Sequence, residues 1–228
     1  MKMKQKLIAG AIALSAFAGF SVPAVHAADV AASVGASNMY YWRGMDLLGG
    51  AALTADVNVS GNGFVAGIWT SSGDAANGTE YDLYAGYSGS AGDFTYGVSV
   101  ISYIYPTVGE DAETGLGPVK PGEYVEIVPS IGYGPFKVTY YDAVVADHPP
   151  LADEDYSYVT AELNFEKFAI KYGQHMSDEG AIDGFSHIDL TYKFNEKLSF
   201  TLGQTIDDAD GFASDEANFV VNLSLPIL

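Results

Sequence analysis

Leu53-Thr54-Ala55-Asp56-Val57-Asn58-Val59-Ser60 alternates without a break between apolar and polar side chains. Successive side chains of an extended strand point to opposite faces, so Leu53, Ala55, Val57 and Val59 share one face and Thr54, Asp56, Asn58 and Ser60 the other. Tyr81, Leu83, Ala85 and Tyr87 repeat the pattern against Glu80, Asp82, Tyr84 and Gly86, and Ile188, Leu190, Tyr192 and Phe194 repeat it against His187, Asp189, Thr191 and Lys193. Helix-period runs with caps are missing. Strands laid on every such segment number twelve, at residues 29–38, 51–60, 63–71, 79–88, 93–103, 123–133, 136–142, 156–165, 167–174, 185–194, 197–206 and 217–225. The fold class is all-β.

The connections alternate between tight and long. Gly61-Asn62, residues 89–92, Gly134-Pro135, Glu166 and Asn195-Glu196 are short enough for hairpin turns. Between them run long segments at 39–50, 72–78, 104–122, 143–155, 175–184 and 207–216. An even strand number with short turns on one rim and long loops on the other predicts an antiparallel up-and-down transmembrane β-barrel, with short periplasmic turns and long acidic extracellular loops. By its length, the loop at 104–122 is the one expected to fold inward and constrict the lumen.

A soluble sandwich or lipocalin-like barrel is the competing architecture. It would have to hold Asp56, Asp82, Glu126, Lys137, Glu162, Lys171, Asp189 and Lys193 in a dry core, because these charges lie opposite the apolar band. A membrane barrel inverts the faces and places them in a wet lumen. Pro129 sits awkwardly in either design, since a closed barrel has no edge and proline deletes a ladder donor; it predicts a bulge or a divided strand.

Ahead of the strands, Lys2, Lys4 and Lys6 precede an apolar run over 7–20 and the small-residue site Val25-His26-Ala27. The run is shorter than the roughly 20 residues a bilayer needs, so 1–27 is read as a cleaved signal peptide and 28–228 as the barrel domain. Removing three lysines and no acid takes the formal net charge from −19 to −22, which makes nucleic acid an unsuitable partner. With no cysteine, a disulfide framework and thiolate metal sites are excluded.

Aromatic residues cluster at the strand ends, with Phe94, Tyr133, Phe136, Phe165, Phe168 and Phe194 by the short turns and Tyr81, Tyr103, Tyr105 and Tyr156 by the long loops. Two interfacial girdles are expected from them.

Several segments occur in a familiar order: Tyr40-Tyr41-Trp42-Arg43-Gly44, Trp69, Glu80-Tyr81-Asp82-Leu83-Tyr84-Ala85-Gly86-Tyr87, Gly92-Asp93-Phe94 with Tyr96, Tyr105-Pro106, Glu123-Tyr124-Val125-Glu126, Tyr133-Gly134-Pro135 and Tyr140-Tyr141. Through them nearly the whole chain after the leader resembles the TorF-type family of proteobacterial outer-membrane proteins named as porins. The resemblance implies an exported outer-membrane barrel with a pore role. The chain departs from that pattern at Met45-Asp46-Leu47-Leu48, where relatives tend to carry a polar Ser-Gln stretch, and at its end, Leu225-Pro226-Ile227-Leu228, which lacks the terminal aromatic residue.

Acids gather in the long loops, among them Glu110, Asp111, Glu113, Asp147, Asp153, Glu154, Asp155, Asp178, Glu179, Asp183, Asp207, Asp208, Asp210, Asp215 and Glu216, while Lys137, Lys167, Lys171, Lys193 and Lys197 lie near the short turns. Such a field raises the local cation concentration over a screening length of about 8 Å. Solvated loops are the plain reading. The sharper one is divalent cations bridging carboxylates to lipopolysaccharide, with Asp207, Asp208 and Asp210 as a weak metal candidate that lacks the closing Glu of an EF-hand.

The eight strand charges are candidate pore-lining groups. If they pair across the lumen, the barrel is plugged; if they line opposite walls, it conducts. Inward Gly86, Gly97, Ser99, Ser130, Gly132, Thr191, Thr201 and Gly203 favour open space. Trp42 and Arg43, the latter the only arginine, are the candidate rim or constriction, against the alternative that Arg43 pairs with loop carboxylates. An enzyme is not expected. His148, His175 and His187 are the histidines after the leader, the adjacent Ser186 and His187 point to opposite faces, and no nucleophile elbow is present.

The sequence thus predicts a bacterial outer-membrane channel for passive diffusion of small cationic or neutral solutes, without cofactor, its partners being membrane lipid, lipopolysaccharide and the solutes. The alternatives are a non-conducting barrel whose acidic loops bind divalent cations or a surface partner, and an outer-membrane lipid-modifying enzyme.

Overall fold

A computed structural model describes residues 29–47, 50–74, 78–108, 117–146, 155–177, 182–208 and 216–228. The signal peptide reading, His148 and the acids at 110–113, 147–154, 178–179, 210 and 215 lie outside the described residues.

Fourteen strands follow one another: β1 (Asp29–Ser37), β2 (Tyr41–Trp42), β3 (Met45–Asp46), β4 (Ala52–Gly61), β5 (Phe64–Asp74), β6 (Gly78–Ala91), β7 (Phe94–Ile104), β8 (Tyr124–Tyr133), β9 (Phe136–Ala146), β10 (Ser157–Asn164), β11 (Phe168–Met176), β12 (Ser186–Lys193), β13 (Leu198–Asp207) and β14 (Asn218–Pro226). Among the described residues, β2 and β3 pair only with each other. The other twelve form one closed antiparallel barrel in which each strand pairs with its sequence neighbours, and β1 closes the ring by pairing with β14 on one side and β4 on the other. The closing seam runs from Ser33 opposite Pro226 to Ser37 opposite Asn222, so the unusual C-terminal segment takes part in the ladder. All twelve strands coincide with the predicted segments to within a few residues.

Pro129 does not divide β8. Its register passes unshifted from Gly97↔Ser130 through Val98↔Pro129 to Ser99↔Val128, and across to β9 from Ile127↔Asp142 to Ser130↔Thr139. The ring points outward, where its bulk meets no lumen neighbour.

Polarity is inverted relative to a soluble barrel. Leu53 (66% exposed), Val57, Leu83, Val98, Ile131, Leu190 and Leu202 are exposed, whereas Thr54, Glu80, Asp82, Glu126, Thr139 and Asp189 are buried on the lumen face. Apolar side chains face water only at a free-energy penalty, so such an exterior suits a hydrocarbon surround. A closed twelve-strand barrel with such a surface fits an outer-membrane protein.

The predicted girdles need one correction. Phe94, Tyr133, Phe136, Phe165, Phe168 and Phe194 form an exposed set at the short-turn end, and Tyr81 is exposed at the other, but Tyr103, Tyr105 and Tyr156 are buried inside. Tyr103 and Tyr105 continue the inward phase of Ser99 and Ile101, so strand alternation turns them to the lumen. Together with Tyr124, Tyr141, Tyr158 and Phe185 they fill the barrel at its long-loop end.

A hairpin docked in the lumen as candidate functional site

Among the described residues, the first long connection folds inward, as the hairpin β2–β3. Of the loop predicted at 104–122, residues 109–116 lie outside the described residues, and its described ends are joined where Tyr105 pairs with Val119. The hairpin is closed by Tyr41↔Asp46 and Trp42↔Met45 pairing and by the Leu47 amide donating to the Tyr40 carbonyl at 3.0 Å. Its two-residue turn needs left-handed backbone at both positions, and Arg43 (φ 45°) and Gly44 (φ 94°) supply it. A non-glycine residue in that conformation is uncommon and holds only where its surroundings enforce it.

For Arg43 the enforcement is visible. Its side chain is buried, 7% exposed, and forms a two-pronged ion pair with Glu126, which is fully buried: Nη1 donates to Oε1 at 2.9 Å and Nη2 to Oε2 at 2.6 Å. Nη1 also donates to the Tyr156 hydroxyl at 2.9 Å. The guanidinium carbon lies 4.5 Å from the ring centre of Tyr141, 4.6 Å from Trp42, 4.9 Å from Tyr158 and 5.6 Å from Tyr156. Glu126 is further held by the hydroxyls of Tyr103 at 2.7 Å and Tyr124 at 3.3 Å. Burial by itself would lower the Arg43 pKa; the Glu126 carboxylate, together with Tyr156 and Tyr103, more than reverses that and leaves it well above the ordinary value.

Three further contacts anchor the hairpin. The Tyr40 hydroxyl donates to Glu80, which also accepts from Tyr105 at 3.0 Å. On the opposite wall the Tyr41 hydroxyl donates to Asp189 Oδ1 at 2.6 Å. Burial, then the Asp189 charge, raises the Tyr41 pKa. Behind the turn, His175 Nε2 lies 2.8 Å from the Arg43 carbonyl oxygen and must carry the proton it donates, which leaves Nδ1 to accept from the Tyr156 hydroxyl at 3.0 Å. His187 likewise donates through Nδ1 to Asp189 at 2.9 Å and accepts from the Tyr158 hydroxyl at 2.8 Å.

Small residues make the space. A Cβ on Gly44 would strike the His187 ring, one on Gly203 the Tyr41 hydroxyl, and one on Gly173 both His187 and Tyr158. Gly203 therefore seats the hairpin instead of leaving the open space its size suggested. Two of the barrel's three register shifts fall at Val125/Glu126 and Ser186/His187, where an extra residue on the neighbouring strand re-aims the side chains that receive the hairpin.

Of the eight candidate lining charges, four form a row on adjacent strands: Lys137↔Glu162, Glu162↔Lys171 and Lys171↔Asp189 are cross-strand partners of alternating sign. Lys171 reaches Asp189 at 2.9 Å. These four thus run along one wall, with Lys171 and Asp189 in an ion pair. Asp56 is on β4, six strands round the ring from β10, and accepts from Asn58 at 2.6 Å and Tyr84 at 2.9 Å. Lys193 is half-buried nearer the short turns, and Asp82 is buried beside Glu80 on β6. Glu126 and Asp189 are brought to the hairpin, as are Trp42 and Arg43. Arg43 pairs with a strand carboxylate, Glu126.

Residues the sequence reading did not single out are Tyr40, Tyr41, Glu80, Tyr103, Tyr124, Tyr141, Tyr158, His175 and His187 as hairpin partners. Their signal was present: each strand-borne member shares the polar phase with an acid or small residue, as in Tyr124-Val125-Glu126 and His187-Ile188-Asp189. Among the described residues, no group of three or more His, Asp or Glu side chains is arranged to hold a metal ion. Asp207 and Asp208 are described; Asp210 is not.

A family model described as a bacterial protein of unknown function, Gcw_chp, matches residues 22–214. No curated protein matches the chain.

Proposed function

The chain belongs to the Gcw_chp family of bacterial proteins of unknown function, and on that premise we propose that it is an outer-membrane channel for small cationic or neutral solutes, closed in this state by hairpin β2–β3. The observation that carries the reading is the nature of the plug. A permanent stopper is best built from apolar packing, since burying an ion pair carries a desolvation penalty that its attraction only partly repays. Here the closure is instead held by polar contacts, a loop-borne cation, Arg43, seated on a wall-borne carboxylate, Glu126, with the Tyr40 and Tyr41 hydroxyls on Glu80 and Asp189. That is the chemistry of a contact made and broken.

Beyond the hairpin, toward the short turns, the lumen face carries small polar groups including Ser99, Ser130, Thr191 and Thr201. Such a wall suits hydrated solutes. The acidic loops and the carboxylates Glu80, Asp82, Glu126 and Asp189 favour cations over anions. Export by residues 1–27, residence in the outer membrane among lipid and lipopolysaccharide, and passive conduction without catalysis belong to the same proposal.

The filled long-loop end favours a second reading, a non-conducting barrel whose outer surface binds a partner or divalent cations. Planar-bilayer recording separates them. Wild-type protein should give brief cation-selective steps, and Glu126→Gln longer ones. Silence from both proteins, or anion preference, would overturn the channel reading.

A further inference from the structure

The seat of Arg43 is built almost wholly by the barrel wall. Glu126 and Tyr124 stand on β8, Tyr103 on β7, Tyr141 on β9 and Tyr158 on β10, with Tyr156 just ahead of β10. The carboxylate matches a guanidinium prong for prong, two hydroxyls fix that carboxylate, and the ring faces of Tyr141 and Tyr158 flank the bound cation. A planar guanidinium satisfies such a site in a way a compact ammonium does not, because it presents a fixed donor fork and stacks on aromatic faces. Sites on strands hold their geometry independently of a loop. The receptor therefore sits on the rigid part of the molecule and its occupant on a tether.

We propose that this pocket is a receptor for guanidinium-bearing solutes, and that Arg43 is its tethered occupant, displaced when such a solute arrives. The proposal rests on the reading of the hairpin as a movable constriction and names the solute class it admits. A second observation supports a cation-seeking site. Arg43 is the cation bonded to fully buried Glu126, so its departure leaves that carboxylate without one, and among the described residues buried Asp82 Oδ1 has no hydrogen-bond partner. The tether sets the competition: a short linker gives an effective concentration on the order of millimolar, so a free guanidinium competes in that range or above.

The test uses methylguanidinium, with methylammonium as the equal-charge control. In titration calorimetry of the Arg43→Ala barrel, methylguanidinium should bind about tenfold more tightly than methylammonium, a difference of about 1.4 kcal/mol. Adding Glu126→Gln should erase the preference. Equal binding of the two cations, or of neither, to an Arg43→Ala barrel with intact strand circular dichroism overturns the proposal. Should Arg43→Ala not fold, wild-type protein decides: methylguanidinium should speed hydrogen exchange at the Leu47 amide more than methylammonium does, and equal effects overturn it. Current is read separately. Selective binding without any conductance leaves the receptor standing and removes the channel, whereas conductance without selective binding does the reverse.

Discussion

Glu126→Gln is the sharpest perturbation of the hairpin. It keeps the side-chain shape on β8 but removes the charge and replaces one acceptor oxygen by an amide donor that faces the guanidinium and tyrosine donors. The wild-type carboxylate is fully buried and takes two bonds from Arg43, at 2.9 and 2.6 Å, and one each from Tyr103 and Tyr124. Deleting one partner of a buried ion pair costs about 3–5 kcal/mol, much of it the charge left without compensation. At about 1.4 kcal/mol per factor of ten, the docking equilibrium shifts by roughly 10²–10⁴-fold. The Leu47 amide, bonded to the Tyr40 carbonyl, reports it. Its hydrogen exchange should accelerate by that factor while amides of the β9–β10 ladder stay protected. The double variant Arg43→Ala/Glu126→Gln should be less open than the two single effects added together, because both remove the same interaction. Unchanged exchange at Leu47 in Glu126→Gln would refute the idea that this pair holds the hairpin.

Gly44→Ala breaks no ion pair but places a Cβ at φ 94° and against the His187 ring, and at about 1–3 kcal/mol for such strain it should raise Leu47 exchange about tenfold or more with the barrel's melting unaltered. The raised Tyr41 pKa means that docking supported by its protonated hydroxyl is fully present below the ordinary tyrosine value and is lost as pH rises above it. Exchange at Leu47, corrected for its intrinsic pH dependence, should therefore rise on the alkaline side, and Tyr41→Phe should lessen that rise. Glu162→Lys sets three lysines side by side with Lys137 and Lys171, so the reversal potential in a salt gradient should move toward anion preference. Leu190→Arg puts a charge on the exposed apolar face of β12 and should lower stability by about 2–4 kcal/mol in urea refolding into lipid vesicles.

The barrel was legible because its causes are local. Alternation over 53–60, 81–87 and 188–194 depends only on strand geometry, and the tight turns at Gly61-Asn62 and Gly134-Pro135 declare themselves by residue type. Pro129 looked like a contradiction because proline is judged by the donor it lacks; in the barrel its ring faces outward and the register passes through it. The girdle tyrosines were misplaced for a related reason. Tyrosine suits an interface and a polar lumen equally, and only the phase inherited from Ile101 decides for Tyr103 and Tyr105.

The site divides along the same line. Trp42 and Arg43 drew attention by themselves, as did Glu126 and Asp189 among the strand charges. Their meeting was not readable, since Arg43 and Glu126 are 83 positions apart and Tyr41 and Asp189 are 148 apart. Length drew attention to the loop at 104–122, and length measures reach and says nothing of which other loop will fit the lumen. What the sequence by itself determined is the twelve-strand ring and which face of it is polar, because period-two alternation and turn chemistry act between neighbours. Only the tertiary structure decided that the first loop enters the lumen, because that requires a carboxylate on β8, aromatic rings on β9 and β10 and the small Gly203 on β13 to converge on one arginine, and closure of the ring is what brings them together.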